Sequence, residues 1–135
     1  MTGLFNSFAV ALGGALGSLA RYWLAEAFAA LGMADFPWAT LAANVSGSFI
    51  IGLIAALTGP DGRLLVAPEV RLFLLVGICG GYTTFSSFSL QTLTLAQGGE
   101  WAKAGLNIFL SLVLCLVAVA LGFAVATHFN RLEGV

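Results

Sequence analysis

The residues best suited to do chemistry in this chain lie together at 80–89, in the sequence GGYTTFSSFS. Phe85 and Phe88, three positions apart, stand among five hydroxyl side chains: Thr83, Thr84, Ser86, Ser87 and Ser89. Hydroxyls donate and accept hydrogen bonds, and a phenyl ring has a positive edge and a negative face. Both kinds of group contact small ions or polar solutes, so this pattern favours binding or conduction over covalent chemistry.

The same segment begins with Gly80-Gly81 and interrupts a stretch that otherwise predicts a membrane-spanning helix. Lipid offers no hydrogen bonds, so irregular backbone at membrane depth has to be buried in protein or line a pore. We therefore expect the helix to be broken at residues 80–84. Unwound backbone exposes carbonyl oxygens, which makes a structural cation one hypothesis for the break and a simple packing kink the other.

Composition places the chain in a membrane. Of its 135 residues, 60% are hydrophobic and 8% are charged, and its mean hydropathy is +1.03. A soluble domain carries roughly 25% charged residues, so this chain lacks the charge to cover a water-facing surface. The net charge of −1 without a basic run argues against nucleic acid as a partner. One histidine and no clustered carboxylates make an enzyme unexpected.

Four apolar segments predict an all-α domain of four transmembrane helices, at residues 5–31, 38–57, 72–95 and 102–129. Each is near the ~20 residues that cross a bilayer. The first contains Arg21 and Glu26 and has no basic start, so we expect a retained span instead of a cleaved signal peptide. Cys79 and Cys115 lie in apolar spans without metal-ligand spacing, which predicts reduced, buried thiols.

The chain has few charged residues that could set the orientation of these helices in the membrane. With the N-terminus inside, Arg63, Arg71 and Arg131 would be cytoplasmic, and Lys103 would lie on the other side. This small bias leaves both ordinary N-inside insertion and insertion in two orientations open. Four helices of minimal length can hardly both enclose a pore and shield it from lipid. We therefore expect a functional unit of more than one chain.

Polar side chains recur at helical spacing in two other spans. One face of the second span and one face of the fourth carry them: Thr40, Asn44, Ser48, Asn107, Ser111 and Cys115. Such groups often hydrogen-bond between membrane helices, for roughly 0.6–2 kcal/mol each. Together with the broken third span, however, the two stripes favour one polar track through the membrane.

The candidate track contains no Lys, Arg, Asp, Glu or His, so it lacks the titratable relay of a proton pump. Hydroxyl and amide donors with ring edges suit a small anion, whereas ring faces suit a cation; a neutral solute such as water also stays open. Arg21, inside the first span, either binds backbone carbonyls structurally or recruits anions into a vestibule.

The motif at 80–89 resembles the signature of the Fluc (CrcB-type) fluoride channels. The sequences GGALGSLARY at 13–22 and PWATLAANVSGS at 37–48 match as well, and the similarity covers nearly the whole chain. The resemblance implies an antiparallel, dual-topology homodimer in the inner (plasma) membrane. It further implies two pores that pass fluoride passively and protect the cell from it.

The resemblance also implies residue roles. Phe85 and Phe88 would present ring edges to fluoride, and Asn44 would donate to it. The path would be completed by the hydroxyls of Ser86, Thr84 and Ser111. The polar stripe of the second span adds the hydroxyl of Thr40. A structural Na⁺ at the dimer centre would be held by the carbonyl oxygens of Gly80 and Thr83 from both chains. Arg21 corresponds to the first-span arginine of the family.

Two other functions stay open on sequence alone. A small multidrug-type proton-coupled exporter needs a carboxylate inside the membrane, and Glu26 is the one candidate, without the aromatic cage expected for a lipophilic cation. A non-transporting assembly subunit would show no flux of any solute.

Overall fold

The computed structural model of the chain describes residues 2–132, whose regular structure is helical throughout. The elements in chain order are α1 (Thr2–Ala30), α2 (Trp38–Leu57), α3 (Pro68–Leu72), a π-helical segment (Phe73–Cys79), α4 (Gly80–Tyr82), α5 (Phe85–Gln97) and α6 (Trp101–Leu132). Four helical stretches are long and apolar enough to cross a membrane: Gly3–Ala30, Trp38–Leu57, Pro68–Gln97 and Trp101–Leu132. The predicted all-α, four-span membrane fold is therefore confirmed.

Short links join the spans, and glycine ends two of the helices. Gly32 after α1 and Gly99 after α5 have φ of 73° and 79°, a left-handed conformation that glycine adopts without strain. Beyond each of them, a backbone N–H returns to the carbonyl five residues earlier, from Met33 to Phe28 and from Glu100 to Leu95. This is the Schellman arrangement, and it turns the chain back within a few residues.

Helix packing divides the third span into two halves with different neighbours. α2 packs along α6, and α1 packs against the π-helical segment and α4. α5, which follows the break, packs against α6 instead. The break therefore lies where the third span leaves α1 and joins the α2–α6 pair.

The break itself is confined to Thr83 and Thr84. Both have extended backbone, with φ −86° and ψ 158° at Thr83 and φ −156° and ψ 117° at Thr84. Gly80, in contrast, is helical, with φ −64° and ψ −37°. The predicted interruption of the third span is thus confirmed, but the glycine pair that signalled it belongs to α4.

The glycines of the third span have a packing role. A Cβ on Gly81 would lie 2.5 Å from the Gly14 carbonyl oxygen of α1. From the other side, a Cβ on Gly17 would overlap the Ile78 carbonyl oxygen. These positions let the two backbones touch, as small residues do at membrane helix interfaces. The sequence interpretation of Gly80-Gly81 as the break is corrected, because close approach to α1 explains Gly81.

Adding a methyl group at this contact should separate α1 from the first half of the third span. We expect Gly17→Ala to destabilise the purified protein by about 1–3 kcal/mol, the usual range for overpacking. Thermal unfolding in detergent would register this as a lowered midpoint. Gly14→Ala is the matched control, because a Cβ there meets no atom within 4 Å. Equal midpoints for the two variants would contradict the packing role.

Candidate functional site

One side chain braces the break. The Thr84 backbone N–H donates to Oδ1 of Asn44 at 2.7 Å, and Nδ2 of Asn44 donates to the Thr84 carbonyl oxygen at 3.0 Å. The amide of α2 thereby replaces the helical partners that Thr84 loses by becoming extended. A buried backbone group without a partner costs about 1–3 kcal/mol. This reciprocal pair is therefore what makes extended backbone tolerable at membrane depth.

Hydroxyl groups close the helix ends on both sides of the break. The Thr83 N–H and hydroxyl both donate to the Cys79 carbonyl oxygen, at 3.1 and 2.9 Å, and so end α4. Oγ1 of Thr84 accepts from the Ser87 N–H at 3.1 Å and caps the start of α5. The same oxygen lies 3.2 Å from the Ser86 hydroxyl. Local hydrogen bonds therefore fix the conformations of Thr83 and Thr84.

Beside the break lies a groove of about 560 Å³, which we call the central groove. Residues of α2, α4, the break, α5 and α6 line it: Asn44, Ser48, Ile51, Gly80, Thr83, Thr84, Phe85, Phe88, Ser111, Leu112, Cys115 and Leu116. None of these lining side chains is an acid, a base or a histidine. The groove offers amide, hydroxyl and thiol groups on an apolar background.

The two phenylalanines differ sharply in exposure. Their ring centroids lie 5.2 Å apart with an interplanar angle of 51°. Phe88 is buried among the helices at 8% exposure, whereas Phe85 is 74% exposed on this single chain. The groove is therefore walled on one side by protein and open on the side where Phe85 lies.

The polar residues on one face of α6, Asn107, Ser111 and Cys115, have two different roles. Ser111 and Cys115 line the central groove, and Ser111 is 8% exposed. Asn107 shares their face but is 2% exposed and donates from Nδ2 to Oγ1 of Thr92 at 2.9 Å. Thr92 in turn donates to the Phe88 carbonyl oxygen at 2.7 Å. Asn107 thus ties α6 to α5 below the ring of Phe88 and is no part of the groove lining.

Two predicted pore residues do not line the central groove. Thr40 borders a second cavity of about 420 Å³, near the α1–α2 link, together with Gln91 and Thr94 of α5. Ser86 is exposed, and its hydroxyl is paired with that of Thr84. The predicted residues that do meet in the groove are Phe85, Phe88, Asn44, Thr84, Ser111, Gly80 and Thr83. The apolar lining from Ile51, Leu112 and Leu116 was missed; the spacing of seven residues from Asn44 was a usable signal for Ile51, whereas spacing from Ser111 does not indicate the two leucines.

Arg21 reaches the break from α1. Its Nε donates to the Gly81 carbonyl oxygen at 3.4 Å, and the Ser18 hydroxyl approaches the same oxygen at 3.4 Å. The helical partner of that carbonyl would be the N–H of Phe85, which lies beyond the break. Of the two sequence hypotheses for Arg21, these contacts favour binding to backbone carbonyls. Glu26, further along α1, is exposed and does not line the groove.

One backbone oxygen at the break is left for a ligand. Among residues 2–132, no backbone or side-chain donor is bonded to the Thr83 carbonyl oxygen, although Thr83 borders the groove together with Gly80. Carbonyl oxygens of unwound membrane helices are a ligand type that suits Na⁺.

Removing the Asn44 amide should loosen the break. We expect Asn44→Ala to cost about 2–5 kcal/mol, because two part-buried backbone groups of Thr84 lose their partner. Hydrogen–deuterium exchange should become faster in peptides covering residues 80–88. Ser48→Ala, one turn further on the same helix face, is the control, since the Ser48 hydroxyl makes no hydrogen bond to another residue of the range 2–132. Unchanged exchange in Asn44→Ala would contradict the bracing role.

Known proteins resemble this chain over nearly its whole length. Residues 8–123 match the family described as "CrcB-like protein, Camphor Resistance (CrcB)". Three similar relatives are named "Fluoride-specific ion channel FluC". The relative from Paramagnetospirillum magneticum is 59% identical over 90% of this chain and 95% of its own length. The relatives from Rhodospirillum rubrum and Opitutus terrae are 56% and 55% identical, over 100% and 93% of this chain and 100% and 95% of their own lengths. This chain belongs to the CrcB family.

Proposed function

We propose that this protein is a fluoride-selective channel through which F⁻ leaves the cell passively, protecting it from fluoride. The observation that carries the proposal is the central groove, in which a hydrogen-bonded break and two phenylalanines meet without any charged side chain. Relatives that are named fluoride channels and match the chain over at least 90% of its length support the choice of ion. Their bacterial origin supports the inner membrane as the location.

The groups of the groove suit a small, tightly hydrated anion. The Asn44 amide uses one N–H for Thr84 and keeps a second, and the Ser48 and Ser111 hydroxyls can turn toward an ion. Ring edges of Phe85 and Phe88 add weak positive potential. Because no fixed cation lines the groove, an entering anion is stabilised without being trapped, as conduction requires.

Transport along this path needs no coupled energy source. An inside-negative membrane potential favours anion exit by about 2.3 kcal/mol per charge per 100 mV. A proton-coupled exporter would need a carboxylate at its binding site, and Glu26 lies exposed outside the central groove. The exporter alternative therefore has no support in the structure.

The open side of the groove favours a second copy of the chain. Phe85, exposed by 74%, would face lipid unless another protomer covered it. We propose an antiparallel homodimer with one chain in each orientation, in line with the weak charge bias of the sequence. In this assembly the carbonyl oxygens of Gly80 and Thr83 from both chains would hold a structural Na⁺, which would supply positive charge between the two breaks.

Loss of either ring should impair conduction while leaving assembly intact. We expect Phe85→Ile and Phe88→Ile each to lower fluoride efflux from proteoliposomes at least tenfold, because an aliphatic side chain has no positive ring edge. A fluoride electrode measures the efflux, and size-exclusion chromatography checks the dimer. Phe5→Ile is the control, since Phe5 lies near the start of α1, far from the groove in sequence and absent from its lining. Wild-type efflux in both groove variants would refute the role of the rings.

Insertion in both orientations has its own test. Ala102→Cys, in a chain with Cys115→Ser, places a thiol at the exposed start of α6 without changing the charge count, while Cys79 stays buried. A membrane-impermeant maleimide applied to spheroplasts should label about half of the molecules, and all of them after permeabilisation, because the charge bias is too small to fix one orientation. Labelling of all or of none before permeabilisation would rule out the antiparallel dimer.

A further inference from the structure

A second polar cavity lies at one end of the helix bundle and shares no lining residue with the central groove. It has a volume of about 570 Å³ and lies where α2 and α6 end and the 58–67 link begins. Two arginines border it, Arg71 of α3 and Arg131 of α6, together with the carboxylate of Asp61. We call it the arginine cavity. Its charged lining carries a net charge of +1, in contrast to the uncharged central groove.

Both guanidinium groups are available to a ligand. Arg71 uses Nε for the Thr58 hydroxyl at 3.3 Å, and this bond leaves its two terminal amino groups. Arg131 is exposed and makes no hydrogen bond or ion pair with any residue of the range 2–132. At the opposite end of α6, by comparison, Lys103 is paired with Glu100 at 3.6 Å. Within residues 2–132, the arginine cavity therefore holds cationic donors that form no ion pair with another residue.

The cavity spans the boundary between headgroups and acyl chains. α2 has 20 residues, about 30 Å of helix, which matches the hydrocarbon thickness, so the link after Leu57 lies at the surface. α6 has 32 residues, about 48 Å, and its last turn with Arg131 extends past that boundary. Phe123, eight residues earlier, lines the cavity about 12 Å deeper. The lining is thus cationic at headgroup depth and apolar below it.

We propose that the arginine cavity binds the phosphodiester headgroup of an anionic phospholipid. Arginine presents a planar fork that matches two phosphate oxygens, and basic pockets between transmembrane helices are a known setting for lipid headgroups. Arg71 and Arg131 bind the phosphate, and the Phe123 wall contacts the first acyl carbons. A soluble phosphate ion shares the anionic chemistry but has nothing to place against Phe123, which is why the lipid is the occupant.

Native mass spectrometry of the full-length protein in detergent tests this directly. Dioleoyl phosphatidylglycerol should give more bound-lipid peaks than dioleoyl phosphatidylcholine. Arg131→Gln and Arg71→Gln should each weaken phosphatidylglycerol binding about fivefold, and the double variant about thirtyfold. Arg131→Gln is the decisive single variant because it removes no contact within the range 2–132. Lys103→Gln, which removes one cation from the other end of α6, should leave binding unchanged.

Four further results distinguish the outcomes. Asp61→Asn should strengthen phosphatidylglycerol binding by about two- to fivefold, because it removes a negative charge from the cavity; a purely structural cluster would not gain affinity this way. Equal binding of the two lipids by the wild type, or undiminished phosphatidylglycerol binding by a well-folded Arg131→Gln protein, would overturn the proposal. Displacement of the lipid by millimolar inorganic phosphate would overturn it as well, because it would make free phosphate the ligand.

Discussion

The structure depends on the reciprocal hydrogen bonds between the Asn44 side chain and the Thr84 backbone. In lipid, extended backbone has no solvent to pair with, and so a helix can open only where protein supplies both a donor and an acceptor. The carboxamide of Asn44 supplies both from one side chain, at 2.7 and 3.0 Å. Without it, both backbone groups of Thr84 would lack a partner, and the extended conformation at the break would lose its main support.

The rest of the bundle keeps the two halves of the broken span in place. Glycine contacts hold the first half directly on the backbone of α1, and the Asn107–Thr92 bond fixes α5 to α6. Arg21 compensates a carbonyl oxygen whose helical partner lies beyond the break. Each half is thus anchored independently, and the central groove lies beside the break, between α2, α5 and α6. In the proposed function, the uncharged central groove would lower the energy of an anion by hydrogen bonds and ring edges alone.

Much of this could be predicted from the sequence, because hydropathy and turn residues reveal spans without knowledge of their packing. The break was predicted in the correct span, but glycine has two uses in membrane helices, unwinding and close approach, and the pattern does not separate them. Helical spacing placed Asn107 on the same face as Ser111. Spacing gives no information, however, about which neighbouring helix each residue of that face contacts. Thr40 lines a different cavity, which helical spacing could not predict for the same reason. The exposure of Phe85 could not be predicted, because a single sequence does not reveal which surface of the chain is left uncovered by its own helices.

The most direct test of the account compares two halides in one preparation. Proteoliposomes loaded with equal fluoride and chloride, with valinomycin and a K⁺ gradient to supply the drive, are followed with ion-selective electrodes. The account predicts rapid loss of fluoride and retention of chloride, since the groove stabilises its ion through a few close donors and no fixed charge. Chloride leaving as fast as fluoride, or neither ion leaving faster than from protein-free vesicles, would contradict it.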